Sequence, residues 1–308
     1  MNQQAGIRAR PAGRSWTPVS RALVGLMPLI VLPAALVAVR AEMPSWVLMW
    51  GLSIAVFGAL KWMTLWRAMG LLGNRSMPRT LAYLILWPGM DAVAFLDGGR
   101  AVTRPGRAEW AVAAGATVLG LALFWGAARL LPASAILGRG WTGLFGLIFM
   151  LHFGAFHLVS LGWRALGIDA QPLMRAPIAA ASLGEFWSLR WNTAFHVLAR
   201  DSVVQPLRGS IGTPGAVLVA FTASGLVHDL VISVPAGGGF GLPTAYFAVQ
   251  GLALLLTRSS LGRRLGLATG LRGRGFAILI TAAPAFWLFH PAFVANVMVP
   301  FMRAVGAL

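Results

Sequence analysis

Runs of apolar residues long enough to cross a hydrocarbon core of about 30 Å recur from one end of the chain to the other. The clearest cover residues 22–39, 46–66, 110–128, 141–163, 214–234 and 243–257. In a 308-residue chain that is 58% hydrophobic and 11% charged, with a mean hydropathy of +0.75, they leave no stretch for a large soluble domain. The expectation is an all-α, polytopic integral membrane helical bundle of about eight or nine membrane segments, forming one membrane domain over residues 1–308. Trp46, Trp110 and Trp141 stand at segment ends, where interfacial anchors are placed.

A net charge of +17 would suggest a nucleic-acid partner for a soluble protein, but here the cations lie in short loops between apolar runs. No nucleic-acid partner is expected. Arg8, Arg10, Arg14 and Arg21 make residues 1–21 an Arg-rich cytoplasmic N-terminus leading into an uncleaved first span. Further basic loops lie at 61–80 (Lys61, Arg67, Arg75, Arg79), 100–107 and 258–274. All can face the cytoplasm if residues 81–96, broken by Pro88 and Gly89, enter and leave on one side. Residues 276–303 are too long for one span and are interrupted at His290 and Pro291. The Ala, Gly, Leu and Arg bias points to a bacterial source and an inner membrane. With no cysteine there is no disulfide framework, no thiolate metal site and no cysteine acyl-enzyme.

Residues 185–207 are too polar to span. At 100° per residue Trp187, Trp191, Phe195 and Leu198 form one stripe, and Asn192, His196 and Arg200 a second, as in an amphipathic helix lying at the membrane surface.

The segment 221–234 is apolar yet carries His228 and Asp229 side by side. A charge at the centre of a span costs about 2.5–3.5 kcal/mol on insertion scales, and even a neutral imidazole needs hydrogen-bond partners. His228 is either a neutral ring bonded to a backbone carbonyl or to Ser224, one turn earlier on the same face, or a functional group. Asp229 either reaches interfacial water or serves that group. Ser224, His228 and Asp229 do not make a hydrolase triad. Asp229 is rotated about 100° from His228 on a helix, and no GxSxG elbow surrounds the serine. His152 and His157, five apart, do not have the spacing of two metal ligands on one helix, so no metal site is expected. Packing, a polar contact across helices or the lining of a shared cavity remain for them. His290, before Pro291, reads as a turn residue.

EFWSLRWN, residues 185–192, resembles the aromatic, acidic and asparagine motif of the membrane-bound O-acyltransferases, in the form seen in the wax synthase branch. SGLVHDL, residues 224–230, is similar to that branch's SGLxHE segment, and the order of the two motifs agrees. LWPGMDAVAF, residues 86–95, and the HxxxxH pair at His152 and His157 are also similar, so the resemblance covers roughly 80–300. Asp229 stands where glutamate is common and Glu185 where aspartate is common.

The resemblance implies a helical bundle enclosing a reaction chamber, with His228 as catalytic base and Asn192 as its partner. Glu185, Arg190, Trp191 and Asp229 would support them, and His152, His157 and Ser224 are candidates for the chamber wall. It implies no cofactor, with a long-chain acyl-CoA as donor substrate, a fatty alcohol or similar lipid hydroxyl as acceptor, and membrane lipids as surroundings. A hydroxyl attacking a thioester needs a base for its proton, and neutral imidazole suits that task. Asn192 would donate to the thioester carbonyl or hold His228 in one tautomer, and Asp229 could support the imidazolium. Arg190, Arg200 and Arg208 could meet CoA phosphates or be ordinary loop charges. A glycan, sterol or diacylglycerol acceptor, or a transporter with an intramembrane His/Asp site, are the alternatives. A repeat-built transporter would show matching halves, and none is visible.

Overall fold

The computed structural model describes residues 18–71 and 76–308; Arg8, Arg10, Arg14, Arg75 and the Arg21 side chain lie outside them. The elements in chain order are α1 (Pro18–Ala38), α2 (Ser45–Ala68), α3 (Met77–Leu86), α4 (Ala92–Leu96), α5 (Arg107–Leu130) and α6 (Ile136–Ala165). They continue with α7 (183–190), α8 (Thr193–Ala236), α9 (Leu242–Arg258), α10 (Gly270–Leu288) and α11 (Pro291–Ala304). Every regular element among the described residues is helical. By length and composition α2, α5, α6 and α8 can each cross a bilayer, and α10 with α11, bent by 56° at their junction, adds a fifth if the pair is one span. The chain is an integral membrane protein. The eight or nine segments expected are not reached by helices of this length, since α9 has 17 residues and α3 only 10.

Without a hydrophobic force between helices in lipid, close packing depends on small residues that let backbones approach. A Cβ on Gly120 of α5 would lie 2.7 Å from the Gly146 carbonyl of α6, and one on Gly146 would lie 2.8 Å from the Phe124 nitrogen. Another face of α6 gives Gly143 to Met298 and Met302, in a buried cluster with Met49, Phe124 and Val294. Trp46 and Trp141, expected as interfacial anchors, pack onto this cluster, with ring centroids 5.8 Å from Phe301 and 6.1 Å from Phe289. Outward residues such as Ile30, Ile85 and Val112 are exposed and apolar, as a surface facing lipid must be.

The break expected near Pro88 is present. Helix α3 ends in extended backbone at Trp87, and α4 starts where Asp91 Oδ1 accepts the Ala94 N–H at 2.9 Å. A broken helix leaves carbonyls that lipid cannot satisfy. Lys61 supplies one donor: its Nζ bonds the Gly89 carbonyl at 2.6 Å and lies 3.1 Å from the Tyr83 ring centroid. Lys61 was expected among the loop cations; it is instead 1% exposed within α2, because its partner is a main-chain atom of the broken segment.

Residues 185–207 do not form one helix. The π-helical turn Phe186–Arg190 ends at extended Trp191, Asn192 takes a left-handed conformation with φ 44°, and α8 begins at Thr193. The two stripes expected across this stretch therefore do not exist as faces of one cylinder. Helix α8 is itself broken at Gly212, φ 70°, two residues before Pro214, so the expected span from 214 emerges as its second half.

Candidate active site

Four residues separate Ser224 from His228 on α8, one helical turn, so the imidazole can reach back to the Ser224 carbonyl. Nδ1 lies 2.7 Å from that oxygen. A carbonyl only accepts, so the neutral ring carries its proton on Nδ1 and keeps a lone pair on Nε2. The ring packs 4.4 Å from Phe247 of α9. Ser224 takes part through its main chain. The result is a half-buried imidazole with a fixed tautomer in a span long enough to cross the bilayer.

Asp229 points elsewhere. Oδ1 accepts from Ser233 Oγ at 2.8 Å and from the Gly241 N–H at 2.8 Å, while Oδ2 accepts from the Thr244 N–H at 3.0 Å and from the Thr244 hydroxyl. Gly241 and Thr244 begin α9, where unpaired N–H groups and the helix dipole favour a carboxylate. Asp229 thus caps α9 from α8 and makes no hydrogen bond to the His228 ring among the described residues. Gly225, one turn before Asp229, lets α9 approach: a Cβ there would lie 2.6 Å from the Thr244 Cα. Buried His290 is the turn residue expected, its Nδ1 accepting the Phe293 N–H at 3.1 Å and its Nε2 lying 3.3 Å from Ser233 Oγ. Since Nδ1 accepts, Nε2 carries the proton and cannot act as a base on Ser233. Asp229, Ser233 and His290 therefore join three helices and do not form a hydrolase site.

The motif at 185–192 is built by a local clasp. Ser182 Oγ accepts the Glu185 N–H at 3.1 Å, and Glu185 Oε2 accepts the Ala181 N–H at 2.7 Å, a close relative of the capping box. Glu185 Oε1 pairs with Arg190 Nε at 2.6 Å, and Arg190 Nη1 donates to the Arg175 and Ala176 carbonyls at 3.1 and 3.3 Å. The Ala181 N–H first, and then Arg190, hold the Glu185 carboxyl below the usual carboxylate range. Arg190 is thereby occupied, whereas Arg200 forms a half-exposed pair with Asp201 at 2.7 Å and Arg208 is an exposed surface residue.

Trp191 lies parallel to Phe186 at 5.6 Å and to His152 at 6.5 Å. Ring contacts continue from Phe186 to Trp187 at 5.1 Å, to Phe247 at 6.0 Å and so to His228. Asn192 and His228 are related through these rings and not by a hydrogen bond. The Asn192 backbone N–H meets Met174 Sδ at 3.2 Å, while its Oδ1 is buried without a partner among the described residues, as are His152 Nδ1 and His157 Nε2. His152 sits in the π-helical stretch Phe149–Ala155 against Trp191, whereas His157 lies beyond it and makes no ring contact with that tryptophan among the described residues.

Two cavities meet this segment. One of about 490 Å³ is apolar, lined by Phe149 and Phe153 of α6, Phe186, Trp191, and Ala277 and Ile278 of α10. The other, about 270 Å³, mixes the polar Asp91, Arg100, Asp169, Arg175 and Thr193 with the apolar Trp87, Ala94, Leu173 and Val197. Trp191 lines the first and Thr193 the second, while Asn192, between them in sequence, lines neither. Neither cavity is lined by His228, Ser224, His152 or His157, and the hollow shared by His228 and Asn192 that the sequence suggested is not among these two. Sequence reasoning missed Ser233, Gly241, Thr244 and Phe247. Only the glycine loop after Val234 hinted that a helix start would need a cap there.

The profile described as the membrane bound O-acyl transferase family matches residues 170–249, a narrower stretch than the resemblance traced above. Over 73 residues the chain is 37% identical to the long-chain-alcohol O-fatty-acyltransferase of Simmondsia chinensis, covering 21% of each. Over 142 residues it is 31% identical to a protein of Arabidopsis thaliana named "Probable long-chain-alcohol O-fatty-acyltransferase 2", covering 42% of this chain and 41% of that one. The matched segments thus span less than half the length of these curated relatives. Residues 170–249, which hold both Asn192 and His228, match the profile of the membrane bound O-acyl transferase family, and the chain is similar over part of its length to long-chain-alcohol O-fatty-acyltransferases.

Proposed function

We propose that this protein transfers a long-chain fatty acyl group from acyl-CoA to a fatty alcohol, forming a wax ester and free CoA. The observation that carries the reading is the tautomer of His228: with Nδ1 committed to the Ser224 carbonyl, Nε2 is a lone-pair base in a family-matched span. As the alcohol oxygen bonds to the thioester carbon, Nε2 takes its proton. When the carbon–sulfur bond breaks, the imidazolium returns that proton to the departing CoA thiolate.

The tautomer-holding role considered for Asn192 is already filled by the Ser224 carbonyl. This supports the other role, an amide N–H donated to the carbonyl oxygen as negative charge develops on it. The neighbours of Asn192 in sequence support the same assignment, since Trp191 lines the apolar cavity and Thr193 the second one. An acyl-CoA has an alkyl chain at one end and phosphates at the other, and a thioester held at Asn192 would send the first into the apolar cavity and the second toward Arg175. Arg175 has no side-chain partner among the described residues, whereas Arg100 is shared by Asp97 and Asp169 at 3.4 Å each. No cofactor is needed for these steps. The capped Asp229 argues against a transporter's proton site, since all its acceptor positions are engaged. Location in a bacterial inner membrane, with the basic loops facing the cytoplasm where acyl-CoA is made, completes the proposal.

Purified protein in detergent, given labelled palmitoyl-CoA and a panel of hydroxyl compounds, tests it. Ester with a long-chain alcohol, and little with a sterol, diacylglycerol or glycan, is the expected result. Failure to release CoA with any acceptor would overturn the reading.

A further inference from the structure

The left-handed turn at Asn192 is held by a neighbouring stretch of chain. Residues 172–176 run beside 190–193: the Arg175 N–H donates to the Arg190 carbonyl at 2.9 Å, and the Thr193 N–H donates to the Leu173 carbonyl at 3.0 Å. Thr193 Oγ1 reaches the Pro172 carbonyl at 3.4 Å, and Arg190 closes the far end through the Arg175 and Ala176 carbonyls. Two residues other than glycine have positive φ among the described residues, Ala176 at 46° and Asn192 at 44°, and one lies on each side of this pairing. Left-handed backbone is disfavoured for a residue with a Cβ and persists where its surroundings hold it. The N–H at the turn itself meets no carbonyl among the described residues. It donates to Met174 Sδ at 3.2 Å, and Met174 is 5% exposed. A thioether is a weak acceptor, but a part-buried N–H that reaches no oxygen depends on it.

We propose that Met174 is a positioning residue for Asn192: its sulfur, by accepting the main-chain N–H, fixes the turn that aims the Asn192 amide. The inference rests on the acyl-transfer reading and deepens it. Only χ1 and χ2 separate the Asn192 main chain from its amide, and Oδ1 accepts no hydrogen bond among the described residues, so the backbone sets the direction of the group. Leucine at position 174 nearly matches the volume of methionine and removes the acceptor, which leaves the N–H unpaired and the left-handed turn without that restraint. Glutamine, unbranched like methionine, returns an acceptor oxygen.

The chain has four asparagines, Asn2, Asn74, Asn192 and Asn296, so isotopic labelling of asparagine alone gives few main-chain amide signals, and Asn192→Gly identifies the one from Asn192. The test follows hydrogen–deuterium exchange of that amide in detergent for wild type, Met174→Leu and Met174→Gln. In parallel kcat and KM are measured for palmitoyl-CoA at fixed alcohol, per folded molecule. In Met174→Leu the Asn192 amide should exchange about tenfold faster or more, while Asn296 keeps its rate. The same variant should lose about 10–10²-fold in kcat with KM changed less than about threefold, because a misaimed amide fails in the transition state and not in substrate binding. Met174→Gln should recover most of both. A side chain that only packs would lower the melting midpoint and leave the amide and the kcat of folded protein unmoved. An Asn192 amide indifferent to Met174→Leu, or one that exchanges faster with kcat unchanged, would overturn the proposal. The exchange readout needs no turnover, so a wild type that releases no CoA counts against the acyl-transfer reading, whereas an indifferent amide counts against the role of Met174.

Discussion

Asp229 sits next to the proposed base, where loss of a carboxylate would be expected to abolish activity, yet its contacts assign it to stability. Replacing it by alanine leaves the Gly241 and Thr244 N–H groups of α9 without their acceptor, while Ser233 Oγ can still turn to the Gly239 carbonyl at 3.3 Å. Loss of a side-chain cap costs about 0.5–2 kcal/mol. Loss of the negative charge at a helix N-terminus adds about 0.3–2 kcal/mol in a partly buried setting. Asp229→Ala should therefore lower stability by about 1–4 kcal/mol. Asp229→Asn should fall between it and wild type, because its amide retains one acceptor oxygen and turns a donor toward donors. Stability is read by thermal unfolding in detergent, and ester synthesis is normalised to folded, monodisperse protein. Turnover per folded molecule should stay within about threefold of wild type, since a proton-transfer group would contribute about 10²–10⁴-fold. An Asp229→Asn protein with unchanged melting and turnover reduced more than a hundredfold would refute the capping role.

Three further expectations follow from the same geometry. Asn192→Gly keeps the left-handed backbone and removes the amide, so ester synthesis should drop about 10²–10³-fold with unchanged melting; equal loss of both would mark a folding role only. Lys61→Met leaves the Gly89 carbonyl without its donor, and thermal unfolding should show a loss of about 1.5–3 kcal/mol; an unchanged midpoint would mean that the broken segment does not depend on the bond. Glu185 has a lowered folded pKa, so the stability of its clasp is complete above the unfolded value near 4.5 and is lost as pH falls through the folded value. Melting followed downward from pH 6 should show this loss in wild type and a smaller one in Glu185→Gln; identical curves would count against the clasp.

Much of the architecture could be read from periodicity and punctuation. Span ends fell near tryptophans, Pro88–Gly89 marked a real break, and the spacing of Ser224 and His228 already put the ring one turn from a carbonyl. What escaped depends on groups that leave no letter in a sequence. Lys61 bonds a main-chain oxygen 28 residues away, so by composition it looked like another loop cation. Asp229 caps a helix start through backbone N–H groups 12 and 15 residues later. The helical stripes drawn through 185–207 failed at Asn192, a residue type that tolerates left-handed backbone but does not demand it. The apolar cavity arises only when α6, α10 and the loop before α7 come together, and the second only where the broken segment 87–100 meets residues 169–175 and the start of α8; no local pattern encodes either meeting.

Initial rates of wax ester formation by His228→Ala and His228→Gln, measured with labelled palmitoyl-CoA and hexadecanol on protein shown to be folded and inserted, bear most directly on the imidazole as base. Loss of more than about 10²-fold in both variants, with the melting midpoint little changed, is the predicted result. Ester synthesis at the wild-type rate by either variant would contradict it.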